Sequence, residues 1–406
     1  MNATSGRGGS VVVAYVLFVL VGLSAAVNAP LLLAQMADYG VGRATIGVTF
    51  FTFSAGFVTA GASSGPLIHR WGTRRALLAG GAAFLLASLV FAARPPFVLF
   101  VALQLVAGYG IGMIESVANA HLAARPHATT LLNRLHAFFG VGALIGPIAA
   151  ALMLRATEWP MVILALAGVS VPVLVAVRFT YPDPAEDPLA NRSHSTVDGE
   201  RTGRGLLPAV LRSPAVLLGA TMLSVYVGLE IGVGNWGYGF LVESRDASDL
   251  IAGWTVSAYW FGLTAGRFVI SPVATRLGLT RIGMAYGCLV GVVAAVGVTW
   301  LVPVATVAVG GFVLLGFFLG PIFPTTMAVA PDLTEARLAP TAIGVMNGLS
   351  TVGGSALPWL AGALGQGVGV WTLLPWTLAL ALAQLLVWSR MVARLPVPAA
   401  AAAAVP

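Results

Sequence analysis

Long apolar runs recur along the whole chain and constrain its fold more than any other feature. Crossing the hydrocarbon core of a bilayer, about 30 Å thick, takes about 20 consecutive apolar residues in a helix. The sequence contains twelve such runs, and its polar residues are concentrated between them. We therefore predict an all-α membrane protein with twelve transmembrane helices. The expected spans are 11–34, 45–67, 75–93, 97–122, 131–153, 159–179, 214–241, 251–275, 281–302, 304–329, 338–364 and 370–389.

The composition excludes several other classes of protein. Only 9% of the residues are charged, against about 25% in soluble domains. The formal charge of +7 is the excess of 21 basic residues, all arginine, over 14 acidic ones. Most of the arginines fall between the apolar runs or at their ends, and they do not form a nucleic-acid surface. The single cysteine, Cys288, excludes an internal disulfide and a cysteine-based metal cluster. We expect no nucleic-acid partner and no cofactor.

The arginines also predict the orientation in the membrane. With both termini in the cytoplasm, sixteen arginines lie inside, and only Arg43, Arg94, Arg155 and Arg245 lie outside. Positive residues are enriched in cytoplasmic loops, so we expect a multi-pass protein of the cell inner membrane with cytoplasmic termini.

The two halves of the sequence repeat one another. Gly56 and Gly262 are 206 residues apart, as are Gly72 and Gly278, whereas Gly108 and Gly316 are 208 apart. Duplicated six-helix halves place a substrate site between them near the membrane midplane. The predicted division is 1–180 for the first half, 181–213 for a cytoplasmic linker, 214–391 for the second half and 392–406 for a disordered tail.

The segment between the second and third spans carries a motif. Residues 65–75 read Gly-Pro-Leu-Ile-His-Arg-Trp-Gly-Thr-Arg-Arg, which resembles the cytoplasmic helix 2 to helix 3 loop of the major facilitator superfamily. The resemblance implies the major facilitator fold and a role in conformational gating. An ordinary positive-inside loop would explain the arginines but not the glycine spacing. The expected gating residues are Gly65, His69, Arg70, Gly72, Arg74 and Arg75, together with Arg267 in the eighth span. His69 replaces the acid that the family usually has.

Only two acidic residues lie inside spans, Glu115 and Glu230. An ionisable group at the bilayer centre costs about 2.5–3.5 kcal/mol on insertion scales and is functional by default. A carboxyl group removed from water is harder to ionise and can exchange a proton near neutral pH. Both residues are therefore candidates for proton coupling. A structural ion pair, for instance with Arg267, is the alternative.

A narrower resemblance surrounds Glu115. Residues 110–119, Gly-Ile-Gly-Met-Ile-Glu-Ser-Val-Ala-Asn, look like helix 4 of the fucose-proton symporter family, which implies a proton-coupling and sugar-contacting role for Glu115, with Asn119 as its companion. The fifth, seventh and eighth spans look more like a less characterised branch of that family described as sugar transporters. Ala29 stands where the family has an aspartate, so fucose itself is not implied. Conversely, Gly142, Gly146 and Pro147 match the core of an efflux antiporter signature.

Polar and aromatic residues in the spans complete the predicted substrate site. Aromatic faces beside amide and carboxylate groups suit a sugar, although interfacial belts are the commonest use of membrane Trp and Tyr. The expected substrate-binding residues are Asn28, Glu115, Asn119, His136, Glu230, Asn235, Trp236, Tyr259 and Trp260.

These observations predict a secondary transporter that works by alternating access. The first hypothesis is proton-coupled symport of a small, sugar-like solute, and the alternative is proton-coupled efflux of drugs or metabolites. The partners would be the solute, protons and the lipid bilayer, with the protein a monomer. An enzyme is not indicated, because no acids, histidines or nucleophile and base converge at one depth. A sensor would need a sizeable output domain.

Overall fold

The computed structural model describes residues 5–182, 207–302, 304–335 and 338–395, and within these ranges it contains helices and no strand. The first half contains α1 Ser5–Ala26, α2 Asn28–Tyr39, α3 Arg43–Ile46, α4 Val48–Ala92, α5 Phe97–Ala123, α6 Ala128–Leu154 and α7 Trp159–Thr180. The second half contains α8 Pro214–Arg245, α9 Asp249–Arg276, α10 Arg281–Leu301, α11 Ala305–Leu319, α12 Ile322–Val329, α13 Ala339–Gly367 and α14 Leu373–Val392. Most of the expected linker (183–206) and the end of the chain (396–406) lie outside the described residues.

The predicted all-α architecture with twelve spans is confirmed. Nine helical segments among the described residues are long and apolar enough to cross a membrane, and one of them, Arg43–Ala92, is 50 residues long. At a rise of 1.5 Å per residue, that segment is two spans, which join at Gly72. The more polar α9 and α13, with 28 and 29 residues, bring the number to twelve.

Two predicted spans and one predicted loop differ in detail from the structure. The first span breaks at Val27, one turn before Pro30, because proline cannot donate the next helical hydrogen bond. The tenth breaks between α11 and α12, where Pro321 and Pro324 have the same effect. The expected loop at 65–75 is instead helical up to a sharp turn at Gly72.

Backbone geometry and helix packing repeat between the halves, as the sequence offsets predicted. Gly72 has φ +80° and its counterpart Gly278 has φ +69°, values that residues with a Cβ rarely adopt. A methyl group on Gly56 would collide with the backbone oxygen of Leu105, and one on Gly262 would collide with that of Val313. The crossing of the second and fourth spans is thus rebuilt by the eighth and tenth.

The halves meet along two seams and at one further contact. Helix α6 packs on α9, and α4 with α3 packs on α13, whereas α2 packs on α8 between these seams. Each seam pairs the second span of one half with the fifth span of the other, as the pseudo-symmetry of the halves predicts. Any path through the protein between the halves therefore runs between these seams.

Candidate functional site

One end of the bundle is closed by contacts between the halves. This closed end carries residues 40–42, 246–248 and 368–369. Arg43 forms an ion pair with Glu243 across the halves, reaching both carboxylate oxygens. The side chain of Gln366 accepts a hydrogen bond from Ala44 N at 2.9 Å, and Trp359 Nε1 donates to Ala44 O at 3.0 Å.

Away from the closed end the seam between α4 and α13 separates. The Ser355 hydroxyl donates to Ser54 Oγ at 2.6 Å, the last hydrogen bond between these helices among the described residues. Farther along, Cβ atoms added at Gly65, Gly344 or Gly348 would meet open space. The other seam stays in contact longer, since Gly140 packs directly on Thr264. The bundle therefore opens at the end near Ser5 and Leu395, where the described part of the chain begins and ends, called here the open end.

A cavity of about 460 Å³ lies between the halves on the open side of these contacts. Its volume falls within the range of about 300–1,000 Å³ typical of small-molecule sites. Both halves line it. The lining residues are Asn133, His136 and Ala137 of α6, Val227 and Glu230 of α8, Thr264, Arg267 and Phe268 of α9, and Phe323 and Pro324 of α12.

Glu230 and Arg267 form an ion pair inside this cavity. Arg267 Nη2 lies 3.6 Å from Glu230 Oε1, and the two side chains are 14% (Glu230) and 28% (Arg267) exposed. Arg267 Nε also donates to Gly320 O at 3.3 Å. That carbonyl lacks its usual helical partner because residue 324 is proline. The interrupted tenth span therefore supplies part of the site that holds Arg267.

Two buried tyrosines flank the pair. The Tyr259 hydroxyl donates to the backbone oxygen of Glu230 at 3.0 Å, which fixes α9 against α8. The Tyr226 hydroxyl lies next to both charged groups without meeting the geometry of a hydrogen bond to either. Buried hydroxyls usually have a hydrogen-bond partner. The Tyr226 hydroxyl is therefore a polar group beside the ion pair whose hydrogen-bonding capacity is unused in this state.

Glu115 occupies a different environment. It is half-buried on α5, and within the described part of the chain its carboxylate forms no ion pair or hydrogen bond. Helical geometry places it between the face of Gly112, which packs on the second span, and the face of Ala118, which packs on the first and fifth. The Asn119 amide donates to the backbone oxygen of Glu115 at 2.9 Å, not to its carboxylate. Neither residue lines the 460 Å³ cavity.

The predicted aromatic site is divided in the structure. Trp236 Nε1 donates to Pro358 O at 2.8 Å, and its ring packs on Phe50 at the closed seam, away from the cavity. Trp260 packs edge-on against Phe139, one turn closer to the closed end than Thr264, and its Nε1 is buried without a partner in the described structure. Neither tryptophan lines the cavity, and Trp260 lies nearer to it than Trp236 does.

Of the remaining predicted binding residues, one lines the cavity and two do not. His136 lines the cavity and packs edge-on against Phe18. Asn28 is exposed, and its amide donates to Ser24 O at 3.4 Å, across the break between α2 and α1. Asn235 is half-buried on α8, outside the cavity lining.

The predicted gating motif lies at the open end. Gly65 and Arg70 are exposed, as are His69 and Arg75, whereas Gly72 is buried at the turn. Arg74, the last of the group, is half-buried. With the halves separated here, the motif does not close this end, and its gating role stays a prediction.

Sequence reasoning missed the residues of the closed end. The sequence places Arg43 only among the four arginines expected outside, but three of those four are held by specific acceptors. Arg43 pairs with Glu243, Arg94 with Glu158, and Arg245 donates to Thr299 O. The available signal was the rarity of arginine on that side of the membrane. Among the described residues, no group of three His, Cys, Asp or Glu could hold a metal ion.

The family is shown by the match of the sequence to a family model over most of the chain. The Major Facilitator Superfamily model matches residues 14–241 and 231–404. The chain belongs to this superfamily. It is a membrane-spanning transporter, and the match covers both halves that the internal repeat predicted.

Individual relatives extend the comparison. Bypass of stop codon protein 6 from Saccharomyces cerevisiae is 24% identical over 390 residues, covering 89% of this chain and 78% of that protein. The glucose/galactose transporter of Brucella abortus is 24% identical over 347 residues, covering 80% and 79%. The crystal structure of a nucleoside transporter superposes with a TM-score of 0.80 at 12% identity, covering 94% and 99%, which shows the shared fold. The narrower resemblance to fucose-proton symporters stays a prediction.

Proposed function

We propose that this transporter carries a small, sugar-like polar solute together with protons by alternating access between its two halves. The observation that carries the proposal is the ionisable cavity between the halves, separated from the closed end by packed seams. A cavity open to one side only is what one state of an alternating-access cycle requires. The glucose/galactose transporter among the relatives supports a sugar-like solute.

The coupling proton is assigned to Glu115, with Glu230 as the second carboxylate. A carboxylate without a counter-ion in a membrane interior is costly when charged. The protonated form of Glu115 therefore stabilises those conformations of the transporter in which its side chain is removed from water. Loading a proton there would bias the two conformations differently and link solute movement to the proton gradient. Glu230 already has Arg267 as its partner. Its ionised form is therefore less costly than that of Glu115.

Orientation follows from the arginine distribution. If both termini are cytoplasmic, the described state is open to the cytoplasm and closed to the outside. A monomer in the cell inner membrane is part of this proposal, as are the gating role of residues 65–75 and solute contacts from Asn119, His136 and Trp260.

The test is solute uptake into proteoliposomes with an imposed pH gradient. We expect wild-type uptake to depend on the gradient and Glu115→Gln to lose that dependence while still exchanging labelled for unlabelled solute. Glu158→Gln, which removes an exposed acid at the closed end, is the matched control and should behave as wild type. Full gradient-driven uptake by Glu115→Gln would refute the role of Glu115 and transfer it to Glu230. An opposite direction of proton and solute movement would instead support the efflux alternative.

A further inference from the structure

The charge content of the cavity narrows the class of solute. Among the described residues that line it, Glu230 and Arg267 carry the only formal charges, and the other polar groups belong to Asn133, His136 and Thr264. A neutral sugar needs no cation in its site. A half-buried arginine within a membrane span that faces a solute cavity therefore calls for a specific explanation.

The pair that holds Arg267 is loose. Its 3.6 Å separation is longer than a hydrogen bond, and within the described part of the chain the guanidinium donates one hydrogen bond of good geometry, from Nε to Gly320 O. Arginine has five N–H donors in a planar fork that fits a carboxylate in a bidentate manner. The terminal nitrogens, in a side chain that is 28% exposed, are thus accessible to a ligand from the cavity.

We propose that the cavity binds a hydroxylated carboxylate, a sugar acid, whose carboxylate replaces that of Glu230 on Arg267. Glu230 then takes up one proton, which compensates the negative charge of the solute and is additional to the coupling proton assigned to Glu115. This inference rests on the proposed function, because it uses the same cavity and the same alternating-access cycle. Asn133, His136 and Thr264 would receive the hydroxyl groups, and the rings of Phe268 and Phe323 would cover the carbon skeleton.

The exchange balances charge and atoms. In the empty state Glu230 carries a negative charge and Arg267 a positive one. In the loaded state Glu230 is neutral with one added proton, and Arg267 pairs with the solute carboxylate. The net charge of the cavity is zero in both states, so the halves can rock without moving an uncompensated charge through a low-dielectric region.

The groups around Glu230 are compatible with a proton on it. Arg267 and Tyr259 face it from α9, Tyr226 from its own helix, and His136 lines the same cavity from α6, while α12 contributes only Phe323 and Pro324 there. When the solute neutralises Arg267, no other cation described in this cavity remains to hold Glu230 ionised. The proton and the solute are thereby coupled through one arginine.

The experiment is calorimetric titration of the purified full-length chain with D-glucuronate and with D-glucose. We expect D-glucuronate to bind at least tenfold more tightly. Repeating the titration in buffers of different ionisation enthalpy should show uptake of about one proton per bound glucuronate, since Glu230 changes protonation on binding. Glu230→Gln should bind glucuronate without proton uptake, because glutamine resembles the protonated acid.

Arginine variants test the binding group. Arg267→Gln should weaken glucuronate binding about 10- to 100-fold, the range expected for loss of hydrogen bonds to a charged group. Arg276→Gln, at the end of the same helix and outside the cavity, is the matched control and should bind as wild type. The double variant Glu230→Gln/Arg267→Gln removes the pair without leaving a single charge, and should show the same loss if folding is intact.

Three results would overturn the sugar-acid inference: no glucuronate binding by the wild type, equal binding of glucose and glucuronate, or unchanged glucuronate binding by Arg267→Gln. Proton uptake that persists in Glu230→Gln would overturn the role of Glu230. Failure of the proposed function looks different, because glucuronate would then bind through Arg267 without proton-driven uptake into proteoliposomes. Conversely, proton-driven uptake of neutral glucose alone would leave the proposed function standing and remove the sugar-acid inference.

Discussion

The ion pair between Arg43 and Glu243 allows the stability of the closed end to be tested quantitatively. Glu243→Gln keeps the size of the side chain and removes its charge, leaving Arg43 without its partner. The Arg43 side chain is 15% exposed and that of Glu243 is 33% exposed. The pair therefore lies between a buried hydrogen bond to a charged group, which contributes about 1.5–3 kcal/mol, and an exposed ion pair, which contributes about 0.2–1 kcal/mol.

An intermediate value of about 1–2 kcal/mol gives the expected effect. Because the pair joins the two halves, it stabilises only conformations in which this end is closed. Loss of this ion pair should raise the open-to-closed ratio at this end about 5- to 30-fold, since each 1.4 kcal/mol is a factor of ten.

The assay is a distance distribution between two spin labels across the closed end. Cysteines replacing Thr157 and Val368, both exposed and in different halves, carry the labels, and Cys288→Ala removes the native thiol. Glu243→Gln should increase the population at long distance. Glu158→Gln breaks a pair with Arg94 at the same end but within one half, so it should leave the distribution unchanged. Identical distributions for Glu243→Gln and Glu158→Gln would refute the latch.

Three further predictions concern packing and backbone. Gly262→Val should destabilise the fold by about 1–3 kcal/mol through overpacking at the helix crossing, seen as a lower unfolding midpoint in detergent, whereas Gly287→Val, where an added Cβ meets open space, should not; equal midpoints would contradict the crossing. Gly72→Ala should cost about 1–3 kcal/mol, because φ +80° with ψ 161° is a conformation essentially confined to glycine, and an unchanged midpoint would argue against the sharp turn. Trp236→Phe should open the closed end by removing the hydrogen bond to Pro358 O without changing solute affinity; a large loss of affinity would show that Trp236 contacts the solute.

The architecture could be predicted well from the sequence, because transmembrane helices and their crossings depend on local and periodic patterns of residues. Apolar runs mark helices, and the repeated glycines mark the same helix crossing twice, as Gly56 and Gly262 show. Helix interruptions were missed although proline is visible in the sequence. Pro30 and Pro324 lie within long apolar runs, and hydropathy alone does not distinguish a continuous helix from an interrupted one.

The site was predictable only in part, since its geometry depends on contacts between distant segments. Glu230 and Arg267 are opposite charges in consecutive spans, so their pairing could be proposed from sequence, and the structure brings them together. Arg43 and Glu243 are 200 residues apart in different halves, and a single sequence carries no signal for that pairing. The residue type of Trp236 suggests a contact with the solute, but its indole N–H donates a hydrogen bond to Pro358 O where two helices pack.

Solute-induced proton movement tests the central claim most directly. Proteoliposomes without an imposed gradient are given an external solute that binds the chain, and the external pH is followed with the membrane potential clamped at zero. Proton-coupled symport predicts that the medium becomes more alkaline with wild type, in proportion to solute uptake, and that Glu115→Gln abolishes this change. Solute uptake by wild type with no change in external pH would contradict the account.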